Sequence, residues 1–497
     1  MRIMKLKIAY ILLALSLANT ACKDTLETSP TTSVPAGEIY KNTDNIATVI
    51  NGTWGYLNEQ YSTYANPGYT AVMRTSDAMG SDVAVTTKYG YRDAYAFTEL
   101  SNSRSGRSSF FWTLLYKVID NANNVITKVD GAAGSQEAKN VLKGQAKVLR
   151  AFSYLNLASF YQFSYLKDKN AKSVPIYTEP STLETQGHPK ATLEEIYKLI
   201  VQDLKDSEAL LATAKREAKY DINIDVVNGL LARTYLQTGA WKLAAEYADK
   251  ASQNYPLMSA AAYNEGFNDL GNSEWIWGHL QTNEQSGASY TFHYLDVSSA
   301  GSYYYSFMAD PYFKELFDRD DIRSGLFEWD GLKGREGFLR YKKFKFKSNL
   351  IGDIVYMRSA EMLLIEAEGY ARAGEKEKAI NALNTLRKAR NAALFVGDDN
   401  AKLISEILIE RRKELWGEGF ALSDIIRTQG KVDRKAYVDA KGNAIMVDVV
   451  GEDGVVKKVT GKGHRVIQFP NDTKFVENSP YYLFSIPFLE TDRNPNL

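Results

Sequence analysis

Tyrosines crowd two stretches of this 497-residue chain in which no helical pattern is visible. Six residues of these stretches are candidates for contact with a ligand: Tyr89, Tyr91, Asp93, Tyr303, Tyr304 and Tyr305. An aromatic face stacks on the C–H groups of a sugar ring, and a nearby carboxylate accepts hydrogen bonds from the sugar hydroxyls. The same surface suits a peptide, and half-buried packing is the alternative for any single tyrosine. The crowding favours a binding surface for an oligosaccharide, with a peptide as the second choice.

Residues with catalytic or metal-binding spacing are scarce. The four histidines are dispersed along the chain, at His188, His279, His293 and His464. No HExxH pair, nucleophile elbow, phosphate loop or dinucleotide-binding glycine pattern is present. Three carboxylates stand within four residues: Asp318, Asp320 and Asp321. Glycoside hydrolysis needs two carboxylates separated across a cleft, so a helix cap partnered by Arg319 and Arg323 is the preferred interpretation. The sequence predicts a protein that is not an enzyme and has no cofactor or metal.

Two helical hairpins are predicted to form the scaffold that positions these loops. Gly374 separates two amphipathic segments, and a glycine there can take the positive φ that ends a helix. The hairpin around it has the spacing of a tetratricopeptide repeat, with Ala367, Tyr370, Gly374 and Ala379. An earlier hairpin repeats the same offsets, with Ala232, Tyr235, Gly239, Ala244 and Pro256. A weaker half-copy carries Ala151 and Tyr154. The fold class predicted is mainly α, a tetratricopeptide-like helical-hairpin scaffold with long loops and small β-hairpins.

Other stretches show weaker periodicity. Further helical patterns cover residues 43–59, 110–129, 137–160, 193–214 and 226–252, and a strand is predicted at 274–280. In the segment RYKKFKFK, Phe344 and Phe346 alternate with lysines, as on a half-buried strand whose charges face solvent. Between residues 430 and 471, Lys441-Gly442 and Asp453-Gly454 predict the turns of β-hairpins.

The first residues have the composition of an export signal. Arg2, Lys5 and Lys7 give a positively charged start, and the apolar run at 8–17 that follows is too short to span a bilayer. Residues 1–21 are therefore predicted to be a signal peptide.

The only cysteine of the chain, Cys22, stands at the border of this signal. A lone cysteine cannot form an intrachain disulfide, and here it is predicted to accept two or three acyl chains, enough for stable membrane anchoring. Ordinary cleavage with an incidental Cys22 is the alternative, and Asn19 fits neither kind of signal well. Residues 22–40 are predicted to be a lipid-anchored tether.

The remainder, residues 41–497, is predicted to be one large domain. The chain has 60 basic and 60 acidic residues and no basic stripe, which argues against nucleic acid as a partner. Its hydrophobic content of 44% is ample for a large core. Loop-rich insertions near 60–100 and 262–350 are expected to carry the ligand, because binding residues concentrate in long loops on rigid scaffolds.

Several segments together resemble the SusD/RagB family of surface lipoproteins. They are CKDTLETSP after the signal, the hairpin beginning VYMRSAEMLLIEAEGYARAG, the helix and turn ILIERRKELWGEGFALSDIIR, and the ending SIPFLETDRNPNL. The ending matches a closing IPxxExxxNP pattern, with Ile486, Pro487, Glu490, Asn494 and Pro495. The resemblance runs nearly end to end but leaves the insert 430–471 unplaced.

This resemblance implies a non-catalytic nutrient-binding protein, lipid-anchored on the outer face of a Gram-negative outer membrane. Family members capture an oligosaccharide, or sometimes a peptide, and deliver it to a SusC-like TonB-dependent transporter, which the repeat helices face. Ligand residues vary within the family, so the six candidates rest on aromatic crowding and loop position alone. A pure protein-interaction scaffold and a glycoside hydrolase are the alternatives from other classes.

Overall fold

The computed structural model describes residues 38–497, apart from residues 64, 89 and 299–301 and the side chain of Ser348. The predicted signal peptide, Cys22 and most of the predicted tether lie outside the described residues, as does Tyr89. In the part described, the chain is mainly α-helical with few small sheets, which confirms the predicted fold class. No helix in this part is both long and apolar enough to cross a membrane.

The helices of the described residues are long in the scaffold and short in the loops. They are α1 (Thr43–Glu59), α2 (Tyr69–Ala78), α3 (Arg92–Tyr95), α4 (Gly106–Lys128), α5 (Gln136–Tyr161), α6 (Leu193–Leu210), α7 (Ile224–Thr238), α8 (Trp241–Ser252), α9 (Ala260–Tyr263), α10 (Phe292–Leu295), α11 (Pro311–Lys314), α12 (Ser359–Arg372), α13 (Lys376–Ala389), α14 (Asn400–Leu415), α15 (Ala421–Arg427) and α16 (Phe488–Arg493). Helix α1 has the predicted bounds, and α4, α5 and α6 cover most of the helices predicted there.

The long helices pack as a stack of neighbours. Each of the helices α4, α5, α6, α7 and α8 packs against the next one in this order. Helix α12 then packs against α8, and α13 and α14 both pack against α12. In such a stack each pair of helices buries its apolar face against the next pair.

Both predicted hairpins are present. Gly239 and Gly374 end the first helix of each hairpin with φ of 77° and 82°, the left-handed region that favours glycine. The four small residues predicted at the helix contacts are fully buried: Ala232, Ala244, Ala367 and Ala379. Where α12 crosses α8, a Cβ on Gly369 would lie 2.6 Å from the carbonyl oxygen of Trp241, so only glycine permits this approach.

Ten short strands lie among the loops of the described chain. They are β1 (Val83–Val85), β2 (Lys172–Pro175), β3 (Lys190–Thr192), β4 (Trp275–His279), β5 (Phe307–Ala309), β6 (Phe327–Gly331), β7 (Leu339–Tyr341), β8 (Ile354–Arg358), β9 (Met446–Gly451) and β10 (Val456–Thr460). Six form one sheet in the order β1-β5-β7-β6-β9-β10, in which β6 and β9 pair in parallel and the other neighbours are antiparallel. Strands β1 and β5 have Val85 opposite Phe307, which sets the loop after β1 beside the loop before β5.

The prediction for RYKKFKFK is wrong in part. The strand β7 ends at Tyr341, and the chain from Phe344 to Lys347 has no regular structure. Lys343 is fully buried and not on a solvated face. Its ammonium donates to the Glu418 carboxylate at 2.5 Å and to the carbonyl oxygen of Trp416 at 2.9 Å. These partners replace the water that the charge loses.

Glu414 on α14 is the centre of a buried ionic cluster. Its carboxylate accepts from Arg358 at 2.7 Å, from Arg323 at 2.7 Å and from Arg390 at 2.9 Å. All four side chains are fully buried, and Glu274 supplies a second carboxylate to Arg358 and Arg390. Burial alone would raise the pKa of Glu414, but the three guanidiniums hold this pKa well below its ordinary value. The cluster joins segments that are far apart in sequence.

The acidic run FDRDDIR belongs to the edge of this cluster. Asp321 is fully buried and pairs with Arg323 at 2.7 Å and with Lys413 at 3.1 Å, so its carboxylate is committed to packing. Asp318 accepts from the backbone N–H of Ala393 at 2.9 Å. The predicted pairing with Arg323 is present, but the run occupies turns and caps no α-helix.

Candidate ligand-binding site

The two predicted loops meet at Tyr294, a fully buried residue of α10. The ring of Tyr91, from the first loop, approaches it edge-on with 4.9 Å between centroids. The ring of Tyr304, from the second loop, stacks on it at 4.8 Å with 15° between the planes. Aromatic pairs with these geometries are favourable beyond the area they bury. Tyr294 therefore holds the two loops together.

A row of rings runs from this junction to the surface. His293 stacks on Tyr303 at 4.2 Å and contacts Tyr290 at 4.7 Å, and Tyr290 in turn contacts Tyr61 at 5.8 Å. We call Tyr61, Tyr290, His293 and Tyr303 the aromatic row. Its two ends are exposed, Tyr303 to 59% and Tyr61 to 46%, while His293 is buried. The row thus offers the exposed faces of Tyr303 and Tyr61 to a ligand, and the buried His293 holds it in place.

The backbone around His293 fixes the second loop. The carbonyl oxygen of His293 accepts from the N–H groups of Tyr304 and Tyr305 at 3.0 and 2.8 Å and from the Ser302 hydroxyl at 2.8 Å. The N–H of Tyr303 donates to the ring Nδ1 at 3.2 Å, so the imidazole proton sits on Nε2. Burial lowers the pKa of His293 to about 4, which keeps Nδ1 free to accept at neutral pH.

Tyr305 has a strained backbone. Its φ of 32° lies in the left-handed region, which costs a non-glycine residue on the order of 1–3 kcal/mol. Two cations lie over its ring, the Arg335 guanidinium at 4.2 Å and the Lys88 ammonium at 5.2 Å. Arg335 is neutralised by Asp330 at 2.9 Å, whereas Lys88 has no ion pair among the described residues. A positive charge is therefore available beside Tyr305.

The first loop is held by Arg107 of α4. This buried guanidinium donates to the carbonyl oxygens of Ala65 and Gly90 and lies over the Tyr91 ring at 4.4 Å. Tyr91 is fully buried and its pKa is raised to about 12, chiefly by burial. It supports Tyr294 from below and offers no face to solvent. Asp93 is exposed and pairs with its neighbour Arg92 at 3.1 Å.

The insert 430–471 braces this loop from the other side. The three guanidinium nitrogens of Arg434 donate to the carbonyl oxygens of Gly80, Tyr95 and Ala78, each at 2.8 Å. His464 Nε2 donates to the carbonyl oxygen of Ser81 at 2.8 Å and Nδ1 accepts from the Tyr95 hydroxyl at 2.9 Å. Burial and the nearby Arg434 lower the pKa of His464 to about 3. The insert is thus part of the support of the site.

Of the six predicted residues, the three tyrosines of the second loop, Tyr303, Tyr304 and Tyr305, lie together. In the first loop Asp93 is exposed and Tyr91 is buried, and Tyr89 lies outside the described residues. The sequence reasoning missed His293, Tyr61 and the supporting Arg107. Tyr290, His293 and Tyr294 stand three and four residues apart, the spacing of neighbours on one helical turn, and this signal was available.

Two family models match different parts of the chain. The model described as SusD family matches residues 333–497, and the model described as starch-binding associating with outer membrane matches residues 26–236. A curated relative, SusD-like protein P2 of Formosa agariphila, is 24% identical over 251 residues, and SusD-like protein P25 of the same organism is 24% identical over 279 residues. These matches cover 46% and 50% of the relatives, about half of their length.

Solved structures match over almost the whole chain. A SusD-like carbohydrate binding protein from Bacteroides vulgatus is 42% identical, with a TM-score of 0.86, and the match covers 92% of this chain and 97% of that one. A SusD superfamily protein from Bacteroides thetaiotaomicron shares the fold at 22% identity, with a TM-score of 0.76 and coverage of 92% and 98%. The chain belongs to the SusD/RagB family.

Proposed function

We propose that this protein is a cell-surface nutrient-binding lipoprotein that captures an oligosaccharide and delivers it to a SusC-like TonB-dependent outer membrane transporter. The observation that carries the proposal is the aromatic row, which lies where the two predicted loops converge and ends in the exposed rings of Tyr61 and Tyr303. The protein acts by binding and release, without a chemical step.

Each group of the site has a role in this proposal. The exposed part of the Tyr303 ring stacks on the C–H face of a sugar, and His293 keeps the ring in place from its other side. Asp93 accepts hydrogen bonds from sugar hydroxyls, and Lys88 donates to hydroxyl or acidic oxygens. Because the loops are fixed by Tyr294, Arg107 and the His293 carbonyl, little ordering entropy is lost on binding.

The names of the relatives support the ligand class. A matching solved structure is that of a carbohydrate binding protein, and one matching family model is described as starch-binding. The aromatic row and the tyrosine candidates Tyr303, Tyr304 and Tyr305 are the surface on which we place the sugar. Tyr89 and Asp93 remain part of the proposal for the first loop, whereas the buried Tyr91 supports the site from below and does not contact the sugar.

The anchor and the partner belong to the same proposal. Acylation of Cys22 after removal of residues 1–21 would moor the domain 41–497 outside the outer membrane through the tether 22–40. The stack of paired helices gives the protein a rigid body on which a transporter can dock. The association with the outer membrane in the description of the matching family supports this location.

Binding to a panel of soluble polysaccharides, followed by affinity electrophoresis and titration calorimetry, tests the proposal. We expect at least one polysaccharide to bind, and we expect Tyr303→Ala to weaken that binding while Tyr312→Ala, in helix α11 after β5, leaves it unchanged. Binding of short peptides but of no polysaccharide would replace the glycan by a peptide. Purification of the protein from detergent-solubilised outer membranes should also recover a barrel transporter, and its absence would overturn the partnership.

A further inference from the structure

A cavity lies elsewhere on the molecule and shares no residue with the aromatic row. It has a volume of about 480 Å³ and lies between α4, the segment around Pro175–Gly187 and the C-terminal helix α16. That volume lies within the range of small-molecule sites in proteins. Its aromatic walls are Trp112, Tyr116 and Tyr177, and its charged residues are Lys117, Asp120, Glu179, Glu490 and Arg493.

The aromatic walls are held rigidly. Trp112 and Tyr116 lie 4.6 Å apart between ring centroids, and Tyr177 stacks on His188 at 4.5 Å. The Tyr116 hydroxyl donates to the carbonyl oxygen of Pro175 at 2.8 Å. These rings therefore need no rearrangement to meet a ligand, which reduces the entropic cost of binding.

The closing IPxxExxxNP motif builds one side of the cavity. Asn494 Nδ2 donates to the carbonyl oxygen of His188 at 2.8 Å, and its Oδ1 accepts from the N–H of Asn496 at 3.0 Å. Asn494 thus ties the segment at Gly187 to the end of the chain. Glu490, four residues earlier, lines the cavity, and its carboxylate has no hydrogen bond or ion pair among the described residues. The hydrogen bonds of Asn494 give this residue of the motif a structural role, whereas the Glu490 side chain has no structural partner in the described part of the chain that would explain its place in the motif.

The charges of the cavity favour a cation. Asp120 is occupied, because it accepts from the N–H and hydroxyl of Ser181 at 2.9 and 2.6 Å and pairs with Lys117 at 3.5 Å. Glu179 and Glu490 have no side-chain partner among residues 38–497 that are described. Arg493 and Glu179 are both exposed at the rim, and in total three carboxylates and two cationic side chains line the cavity. The unpaired carboxylates outnumber the unpaired cation by two to one.

We propose that this cavity binds an organic cation, an ammonium or guanidinium carried on an aliphatic stem. The cationic head lies between the carboxylates of Glu490 and Glu179, and the stem lies along the rings of Tyr116 and Tyr177. Charge-assisted hydrogen bonds hold the head, and the ring faces attract the cation and cover the apolar stem. This site is independent of the oligosaccharide proposal.

Titration calorimetry on the full-length protein in detergent tests the site with N-acetyl-lysine methylamide as the probe. N-acetyl-norleucine methylamide, which has the same stem without the charge, is the matched ligand. We expect millimolar or tighter binding of the lysine probe and at least tenfold weaker binding of the norleucine probe, since one hydrogen bond to a charged group accounts for about a factor of ten. Equal binding of the two probes, or no binding of the lysine probe, would overturn the proposal.

Glu490→Gln keeps the shape of the side chain and removes its charge. We expect it to weaken the lysine probe by about tenfold or more, and Asp492→Asn, on the same helix but outside the cavity, to leave it unchanged. Equal effects of the two variants would contradict the site. The polysaccharide panel measured on Glu490→Gln should match the wild type, which separates a failure here from a failure of the oligosaccharide proposal.

The cation has two possible sources, a free amine or a side chain of a polypeptide. Titration with 1,5-diaminopentane and with a hexapeptide of glycines around one lysine distinguishes them. Binding of the diamine alone, or clearly tighter binding of the diamine, assigns a free amine, and binding of the peptide alone, or clearly tighter binding of the peptide, assigns a polypeptide side chain. Either result supports the site, and binding of neither overturns it.

Discussion

The imidazole of His293 lies nearly parallel to the ring of Tyr303, with 4.2 Å between the centroids and 12° between the planes. One of these rings is buried and the other is 59% exposed. A buried, neutral imidazole therefore serves as the base on which an exposed ring is displayed.

The first prediction concerns that exposed ring. Tyr303→Ala should weaken oligosaccharide binding several-fold, because a ring contact contributes about 0.5–1.5 kcal/mol beyond area burial. The free energy of unfolding should change little, since most of the side chain is in solvent. Tyr304→Ala is the comparison: Tyr304 stacks on buried Tyr294, so this variant should lose stability as well as affinity. Unchanged affinity in both variants would exclude the second loop as the site.

Arg434 is predicted to be essential for the fold of the insert. Arg434→Met should lower the free energy of unfolding by about 3–5 kcal/mol, because three buried carbonyl oxygens lose their donor at once. Lys435→Met, one residue further along and exposed, is the matched control and should stay within about 0.5 kcal/mol of the wild type. Urea denaturation measures both. A similar loss of unfolding free energy in the two variants would show that the three hydrogen bonds of Arg434 have no special role.

The pH dependence of stability should carry a signature of His464. The pKa of His464 is about 3 in the folded protein and about 6.5 in the unfolded chain, so the unfolded chain takes up the proton first as the pH falls. The stability that the neutral, buried His464 contributes is therefore complete above pH 6.5 and is lost progressively as the pH falls toward 3. Asp310, which lies 3.7 Å from His464 and has a pKa raised to about 7 by burial and by Asp82, acts in the opposite sense.

The quantity to measure is therefore the change in slope when His464 is removed. As the pH falls from 6.5 to 5, the reduction in the slope of unfolding free energy against pH caused by His464→Gln should grow from about half to nearly all of the one-proton value of about 1.4 kcal/mol per pH unit. Urea denaturation at several pH values gives both slopes. Parallel curves for the variant and the wild type would mean that His464 takes up its proton in the folded state.

Glu414 is predicted to be among the costliest residues to change. Glu414→Gln leaves Arg323, Arg358 and Arg390 without their shared carboxylate, and loss of one partner from a buried ionic group costs about 3–5 kcal/mol. Glu406→Gln on the same helix removes a partly exposed partner of Arg387 and should cost about 1 kcal/mol or less. Thermal unfolding ranks the two variants, and an equal loss would contradict the central role of Glu414.

The predicted anchor has a direct test. Cys22→Ala should move the protein from the membrane fraction to the soluble fraction, because the predicted acyl chains have no other attachment point. Fractionation followed by immunoblotting measures the distribution, with Ser29→Ala in the predicted tether as the control. Continued membrane retention of Cys22→Ala would require a different attachment.

Local patterns predicted the scaffold well. The hairpins around Gly239 and Gly374 follow from periodicity and one special backbone conformation each, and α1 has the bounds expected from its sequence. Such signals are contained within about thirty residues, so distant contacts do not overrule them.

The details of the site depended on distant partners and were not predictable. Tyr91 is buried because Tyr294, about two hundred residues later, and Arg107 close over it. Lys343 is buried because Glu418 receives its charge. The insert 430–471 had no assigned place, since Arg434 and His464 attach it mainly to backbone carbonyls, which carry no sequence signal, and a side-chain partner there, Tyr95, is more than three hundred residues away.

The buried cluster around Glu414 also constrains the order of events when the chain folds. Its three arginines come from residues 323, 358 and 390, and the carboxylate they share is made after all of them. A chain that ends before α14 would leave Arg323, Arg358 and Arg390 without this carboxylate, and of their ion-pair partners among the described residues only Asp321 and Glu274 would remain to neutralise them. The centre of the molecule therefore depends on a segment that is made late, and truncation ahead of α14 should prevent these guanidiniums from being buried.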